Sequence, residues 1–458
     1  MKKRYRIALV MLCMIMCICG CSSGTDTNRE EKTAETDKRN EEAEVNSKEK
    51  KEKAYQKKLD MIEPSAYDNV MGLNLKKGSS ISVIGKAENV PYWDEVKKGA
   101  EQAVKDINEN LGYEGKAQVK MTYSAPATPD DVDEQVNILD EELARYPEAV
   151  AIAIADVKSC EVQFDLAAES DIPVVAFDSG NDYQGLMASV STDNRASAQE
   201  AAQKLAGLMD EKGEVILFIQ DSKSQSANDR ENAFKEEIEN NYPEISVVET
   251  YHMDQLSVMQ EMIAAERNGR PWKEGEDQET KPEEAEQALP DQEQSGTSET
   301  EETGQAGSGE SEQEQAGDGE NQSPEQGQSG EEDQEEVTAD MISEEEVLEY
   351  ILEKHPDAAG IYATSGDAVQ LALDTLERNK KKAHVVGYDG NSNELEALKE
   401  GKIDALVLQN PFGMGYAAVI ASARAALSMG NEAVVDTGYT WLTKKNLEDE
   451  NIQKLLYN

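Results

Sequence analysis

The chain has 458 residues and a formal net charge of −49, from 45 Lys and Arg against 94 Asp and Glu. Tracking a phosphate backbone needs clustered Lys and Arg, so this balance argues against nucleic acid as a partner. Much of the charge is local: residues 273–340 carry 24 acids against 2 lysines, a share of −22, and the remainder is an ordinary acidic extracellular composition.

In chain order, the first feature is a basic start, Met1-Lys2-Lys3-Arg4-Tyr5-Arg6, followed by an apolar run over 7–19 and then Gly20-Cys21. The run is shorter than the roughly 20 residues that span a bilayer, so it reads as a cleaved signal peptide, residues 1–20. Four of the five cysteines fall in the first 21 residues. Cys21 is the expected new N-terminus, its thiol carrying a diacylglycerol; two acyl chains anchor a protein that one would hold only marginally. The mature protein is thus expected on the extracytoplasmic face of the cell membrane. With Cys21 lipidated only Cys160 remains, so no intrachain disulfide is expected.

Residues 21–78 read as the lipidated N-terminus and a flexible tether. The stretch 22–65 is rich in Lys, Glu, Asn and Thr, with too few large apolar side chains to offset ordering entropy. As a coil at about 5–6 Å × √n, the tether would reach on the order of 40 Å, while a helix over 41–59 stays open as an alternative.

From residue 79 short β-branched runs alternate with amphipathic ones. Strands are predicted at 80–85, 118–123, 149–153, 173–177, 214–219, 245–250, 360–363, 384–387 and 405–409. Helices are predicted at 92–110, 129–145, 193–209, 229–240, 256–265, 343–354 and 366–379. This alternation implies parallel sheets with right-handed crossovers, and the length fits two lobes. The fold class is therefore α/β, two doubly wound parallel-sheet (Rossmann-like) lobes. Between two of the helices lies residues 274–339, an acidic low-complexity insertion of Glu, Gln, Gly and Ser without an aromatic, expected to be disordered. A solvated spacer is the simple account of it; a docking role would show on deletion.

Signatures of catalysis are thin. His252, His355 and His384 are scattered, and HExxH, GxSxG and GxxxxGK[ST] are lacking. Asp389 to Glu400 half-resembles a calcium loop, but the sixth position is Glu394 where the turn needs Gly, and 395–398 reads as helix. No metal, no cofactor and no enzyme activity are expected.

Open α/β sheets bind ligands beyond the carboxyl ends of their strands. There the sequence places Asn89, Tyr92 and Trp93 after the first strand, Asp178 and Ser179 after the fourth, and Met253 after the sixth. Ser365 follows the seventh, Asp389 the eighth, Gln409 ends the ninth, and Arg230 opens the helix after the fifth. Aromatic faces cover the C–H face of a sugar, while charged and amide groups bond its hydroxyls. Each residue alone has a plainer account: Tyr92-Trp93 as a helix-start staple, Asp178 and Asp389 as turn residues, Arg230 as a solvated helix residue. Their shared location is what favours a binding site.

The stretches Glu88-Asn89-Val90-Pro91-Tyr92-Trp93, 173–178, Ser191-Thr192-Asp193-Asn194, Val386-Gly387-Tyr388-Asp389-Gly390 and Gln409-Asn410-Pro411 resemble, in this order, the ribose- and galactose-type sugar-binding proteins of ABC importers, the type I periplasmic binding-protein family. The resemblance implies the periplasmic binding protein-like I fold with a three-segment hinge near Ser191, Gln409 and Asp436. Its lobes would be 79–191 plus 410–436 and 192–409 plus 437–458. It further implies a monomer that captures a monosaccharide or related polyol and delivers it to an ABC permease. Tyr92 and Trp93 would stack on the sugar, and Asp178, Arg230, Asp389 and Gln409 match the family's polar set in kind. Three positions depart: Ser179 stands where the family has Arg, Ser365 where it has Asn, and Met253 where an aromatic is common. The alternative is a co-receptor presenting the same closed form to a membrane sensor kinase or chemoreceptor.

Overall fold

The computed structural model describes residues 53–129, 131–272 and 336–457. Cys21, the expected signal peptide, the first part of the tether and nearly all of the acidic insertion lie outside the described residues. All elements below belong to the unit Ala54–Asn458.

Two six-stranded sheets make two lobes. The first contains β1 (Ser80–Ile84), β2 (Lys120–Ser124), β3 (Ala149–Ile152), β4 (Val174–Phe177), β5 (Ser189–Ser191) and β11 (Val434–Asp436), in the order β11-β5-β4-β3-β1-β2. Every pairing in it is parallel. The second contains β6 (Gly213–Ile219), β7 (Ile245–His252), β8 (Ala358–Ala363), β9 (His384–Tyr388), β10 (Ala405–Gln409) and β12 (Tyr439–Thr443), in the order β12-β10-β9-β8-β6-β7. It is parallel except for β12, which runs antiparallel to β10. Strands such as Ala-Val-Ala-Ile in β3 and Val-Val-Ala-Phe in β4 are buried along their whole length, because helices cover both faces of a parallel sheet.

The helices are α1 (Gln56–Leu59), α2 (Pro91–Leu111), α3 (Val132–Leu143), α4 (Glu161–Glu169), α5 (Asn194–Leu208), α6 (Gln225–Asn241), α7 (Leu256–Arg267), α8 (Glu344–Lys354), α9 (Gly366–Arg378), α10 (Ser392–Glu400), α11 (Pro411–Ala426) and α12 (Glu450–Gln453). The Gly- and Ala-rich α11 is buried over nearly all of its residues. It packs backbone to backbone on α2: a Cβ on Gly99 would stand 1.9 Å from the Phe412 carbonyl oxygen, and one on Gly415 1.9 Å from the Val96 carbonyl oxygen.

The chain passes between lobes three times, after β5, after β10 and between β11 and β12. The expected α/β architecture of two doubly wound lobes is therefore what the chain adopts, with one antiparallel edge added by β12. Nine of the strands follow the sequence pattern; β5 (Ser-Val-Ser) and β11 (Val-Val-Asp) are three residues each, too short to show one, and β12 (Tyr-Thr-Trp-Leu-Thr) is a further strand, rich in β-forming residues, outside the nine predicted runs. Each pairs with a neighbouring strand edge.

The expectation of a flexible tether through residue 78 fails for 54–78. Leu59, Ile62, Tyr67, Leu73 and Leu75 are buried in the core of the first lobe. Lys58 forms an ion pair with Glu95 of α2, both largely buried, and Asn410 Nδ2 donates to the Lys58 carbonyl at 2.7 Å. These apolar residues follow neither a 3.6 nor a 2 period, so the sequence offers no element for them; the surface that receives them is built by α2 and α11, far along the chain. At the other boundary, residues 336–339, expected to belong to the disordered insertion, are among the described residues and Val337 is held in place: Asn268 and Val337 exchange two hydrogen bonds (2.7 and 3.0 Å).

Candidate functional site

Between the lobes, at the carboxyl ends of both sheets, lies a cavity of about 140 Å³, a size that admits a single six-membered ring. Pro91 occupies the first turn of α2 and starts the helix directly after the loop from β1, which sets Tyr92 and Trp93 in the cavity wall. The two rings meet edge to face, 5.2 Å apart at 84°. Asp178 and Asp389 end β4 and β9 with φ of 60° and 71°, a left-handed conformation that Asp tolerates better than most residues. Each lobe thus contributes one carboxylate at an equivalent strand end.

In the first lobe Tyr92 Oη donates to Asp178 Oδ1 at 2.8 Å, and Lys86 Nζ pairs with Asp178 Oδ2 at 3.3 Å with both side chains buried. Burial, with the neighbouring Asp178 and Asp389, pushes the Tyr92 hydroxyl well above its ordinary value, so it serves as a neutral donor. In the second lobe Arg230, 3 % exposed, spends its guanidinium on a fixed set of acceptors. Nε donates to Asn194 Oδ1 (2.8 Å), and the terminal nitrogens to the Thr364 carbonyl (2.6 Å) and Gln409 Oε1 (2.8 Å). The guanidinium lies 4.2 Å from the centre of the Tyr388 ring. Gln409 Nε2 in turn donates to Asp389 Oδ1 at 2.7 Å, and the Gly366 amide to Asp389 Oδ2 at 3.0 Å. Burial raises the Asp389 pKa while Arg230 and Gln409 oppose that rise.

Gln409 also joins the site to the hinge. Its Oε1 accepts from Thr192 Oγ1 at 3.0 Å, so the first and second crossings are hydrogen-bonded beneath the cavity. Across the cleft the Gly180 amide donates to Gln225 Oε1 at 3.1 Å and the Val157 amide to the Lys223 carbonyl at 3.1 Å. The lobes are closed on each other.

The buried charges pair off, Lys86 with Asp178 and Arg230 through Gln409 with Asp389, which suits a neutral ligand rich in hydroxyls. The three histidines stand apart from the cavity, His252 on Glu231, His355 on Glu249 and His384 on Asp404. Among the described residues no group of His, Cys, Asp and Glu could hold a metal ion. The calcium-like stretch is instead a helix start: Asn391 and Glu394 form a capping box for α10.

A family model described as the periplasmic binding protein domain matches residues 81–269 and 319–431, well over half of the chain. The chain belongs to the periplasmic binding protein family. One curated relative of this periplasmic binding protein is the ribose import binding protein RbsB of Bacillus subtilis (strain 168), 33 % identical over 76 residues, which is 17 % of this chain. The match spans 25 % of that relative's length. Among solved structures, a carbohydrate transporter solute-binding protein from Agrobacterium radiobacter in complex with D-arabinose superimposes with a TM-score of 0.57 at 22 % identity, over 82 % of this chain and 98 % of that one. An ABC transporter solute-binding protein from Agrobacterium vitis with bound D-fucose gives 0.57 at 19 % identity, over 83 % and 100 %. At these identities the two structures share the fold.

Of the residues expected in the site of this binding protein, Tyr92, Trp93, Asp178, Arg230, Ser365, Asp389 and Gln409 line the cavity together. Three do not. Asn89 is exposed on the preceding turn with φ of 57°. Ser179 lies on a neighbouring hollow at the hinge side, its hydroxyl accepting from the Ser226 amide at 3.4 Å. Met253, in a short 3-10 turn after β7, packs on the core of the second lobe, where an apolar side chain gains more from burial than from facing a polar cleft. Arg230 does not open its helix: α6 starts at Gln225, capped by Ser224, and Arg230 points into the cleft from the second turn. Ser365 caps α9, its hydroxyl accepting from the Ala368 amide at 3.2 Å.

Lys86, Gln220 and Tyr457 line the cavity without a sequence signal that singled them out. Lys86 directly follows the glycine after β1, a position the strand-end argument could have reached. Tyr457 stands at the end of the chain, beyond any strand, and only tertiary packing brings it there.

Proposed function

We propose that this chain is a lipid-anchored extracytoplasmic solute-binding protein that closes its two lobes on a monosaccharide or related polyol and delivers it to an ABC transporter permease. The observation that carries this is the pairing of charges in a ring-sized cavity: the two buried cations and two buried carboxylates are engaged with one another beside an aromatic pair, and the one further carboxylate of the lining, Asp367, is exposed at its edge, so no buried charge is left for an ionic ligand to neutralise. The sugars named with the solved relatives, and the ribose import protein among the curated ones, support the ligand class. The basic start, short apolar run and Gly20-Cys21 support the anchor. The role proposed is capture without catalysis, supported by the match to the periplasmic binding protein domain.

A thermal-shift screen of the full-length chain against sugars, polyols and nucleosides tests the ligand class. A ligand at a hundred times its Kd adds about 2.7 kcal/mol of stability. Arg230→Ala and Asp389→Ala should each abolish the shift, since either leaves buried polar partners unpaired at about 1–3 kcal/mol apiece. A shift given only by nucleosides, or retained in both variants, would overturn the assignment.

A further inference from the structure

We infer that Tyr457 is a specificity-determining residue of this binding site, whose hydroxyl makes a hydrogen bond to one hydroxyl of the bound solute. The inference rests on the reading of the chain as a binding protein. Tyr457 is 4 % exposed and lines the cavity. Its ring meets that of Tyr92 from the opposite lobe at 6.5 Å and 74°, so the cleft holds three aromatic side chains where the sequence showed two. Its hydroxyl has the Gly390 amide as its nearest candidate partner, but the two do not meet hydrogen-bond geometry, and no other described residue supplies a bond. A phenol buried so deeply without a partner is costly, and Tyr hydroxyls in such places normally have one. The side of the cavity it faces is where a ligand hydroxyl stands.

The tail that carries Tyr457 is held from both lobes. Leu447 and Ile452 are buried in the core of the second lobe, and the Leu456 carbonyl lies 3.5 Å from Lys58 Nζ of the first-lobe segment. Lys58 is fixed in turn by Glu95 on α2, the helix that bears Tyr92. Tyr457 is therefore positioned by the core of its own lobe and, through Tyr92 and Lys58, by the first lobe as well.

The test is Tyr457→Phe in the full-length chain, which keeps the ring and removes the orphan hydroxyl. Isothermal titration is run with each solute that the parent binds and with the series of its monodeoxy analogues. The expected result is a loss of about 5- to 10-fold for the natural solute, as for one neutral hydrogen bond, and no loss for the one deoxy analogue that lacks the paired hydroxyl. Without ligand the variant should melt at or above the parent's temperature, because an unpaired buried hydroxyl has been removed. Equal affinity of parent and Tyr457→Phe for every solute overturns the inference and leaves the binding-protein reading intact. A parent that binds nucleosides and no sugar overturns the sugar reading alone, and Tyr457→Phe is then judged on the nucleoside. Lower affinity for all analogues alike also overturns it, since that result marks packing and not a specific bond.

Discussion

Replacing Glu394 by Gln should turn a pH-dependent cost beneath the cleft into a nearly pH-independent one. Glu394 is 2 % exposed, and its carboxyl sits so close under Gly366 that a Cβ there would touch it. Burial first, then the charges of Asp389 and Asp367, push its pKa from 4.5 up to about 8. A folded pKa above the unfolded one means that the native state holds the proton more tightly, so stability falls as pH rises from about 4.5 to about 8 and then levels off. At 1.36 kcal/mol per pH unit the full fall is about 5 kcal/mol. Glu394 accepts from the Asn391 amide at 2.8 Å and from Asn391 Nδ2 at 2.7 Å when ionised; the neutral acid that prevails below pH 8 has one carbonyl acceptor, as Gln has, so Gln stands in for the protonated form at a difference of no more than about 1 kcal/mol. The variant should therefore match the parent to within about 1 kcal/mol at pH 4.5 and be more stable by roughly 4–5 kcal/mol at pH 9. Urea unfolding followed by circular dichroism at four pH values measures the difference directly, and the many other carboxylates cancel between the two proteins. A difference that stays constant across that range would refute the reasoning.

Gly99→Ala should destabilise by at least 1–3 kcal/mol, the usual cost of overpacking, because its Cβ would meet the Phe412 carbonyl. Gly207→Ala, on α5 with nothing within 4 Å, should stabilise by about 0.5–1 kcal/mol; melting curves of the two variants moving the same way would contradict this. Starting the chain at residue 79 removes Leu59, Ile62, Tyr67, Leu73 and Leu75 from the core. At about 1.5–3 kcal/mol each, this should leave the first lobe unfolded by circular dichroism, whereas a start at residue 54 should melt as the parent does. For the proposed anchor, Cys21→Ser should shift the protein from the membrane fraction to the soluble one, read by fractionation and blotting; retention on the membrane would remove lipidation at Cys21 as the cause.

The reach of the sequence is clearest at the strands. Where a strand is buried on both faces, as in β3 and β4, the local composition must be apolar and β-branched, and that pattern is readable residue by residue. From these runs, the two less buried edge strands β2 and β7 and the helices between them, two doubly wound lobes follow. The rule that ligands bind beyond strand ends then locates Tyr92, Trp93, Asp178, Asp389 and Gln409. Met253 shows the limit of that rule: the residue after β7 turns onto the lobe core, and no local signal separates the two outcomes.

What the tertiary structure alone decided are contacts between segments remote in sequence. The residues 54–78 lack a sustained period because, beyond the single turn of α1, they form no extended regular element; their apolar side chains fill a surface made by α2 and α11. The three-residue strands β5 and β11 pair with each other and with the edge of β4 at the hinge, and too few residues carry them for a local pattern to show. Tyr457 enters the cavity from the last turn of the chain, held by Lys58 almost 400 positions earlier. For the nine longer or more apolar strands and the helices between them, local sequence determines the choice of element, since that choice rests on each residue's own backbone and its near neighbours. Which side chains meet in the cleft depends on how those elements pack, and this is settled by the whole chain at once.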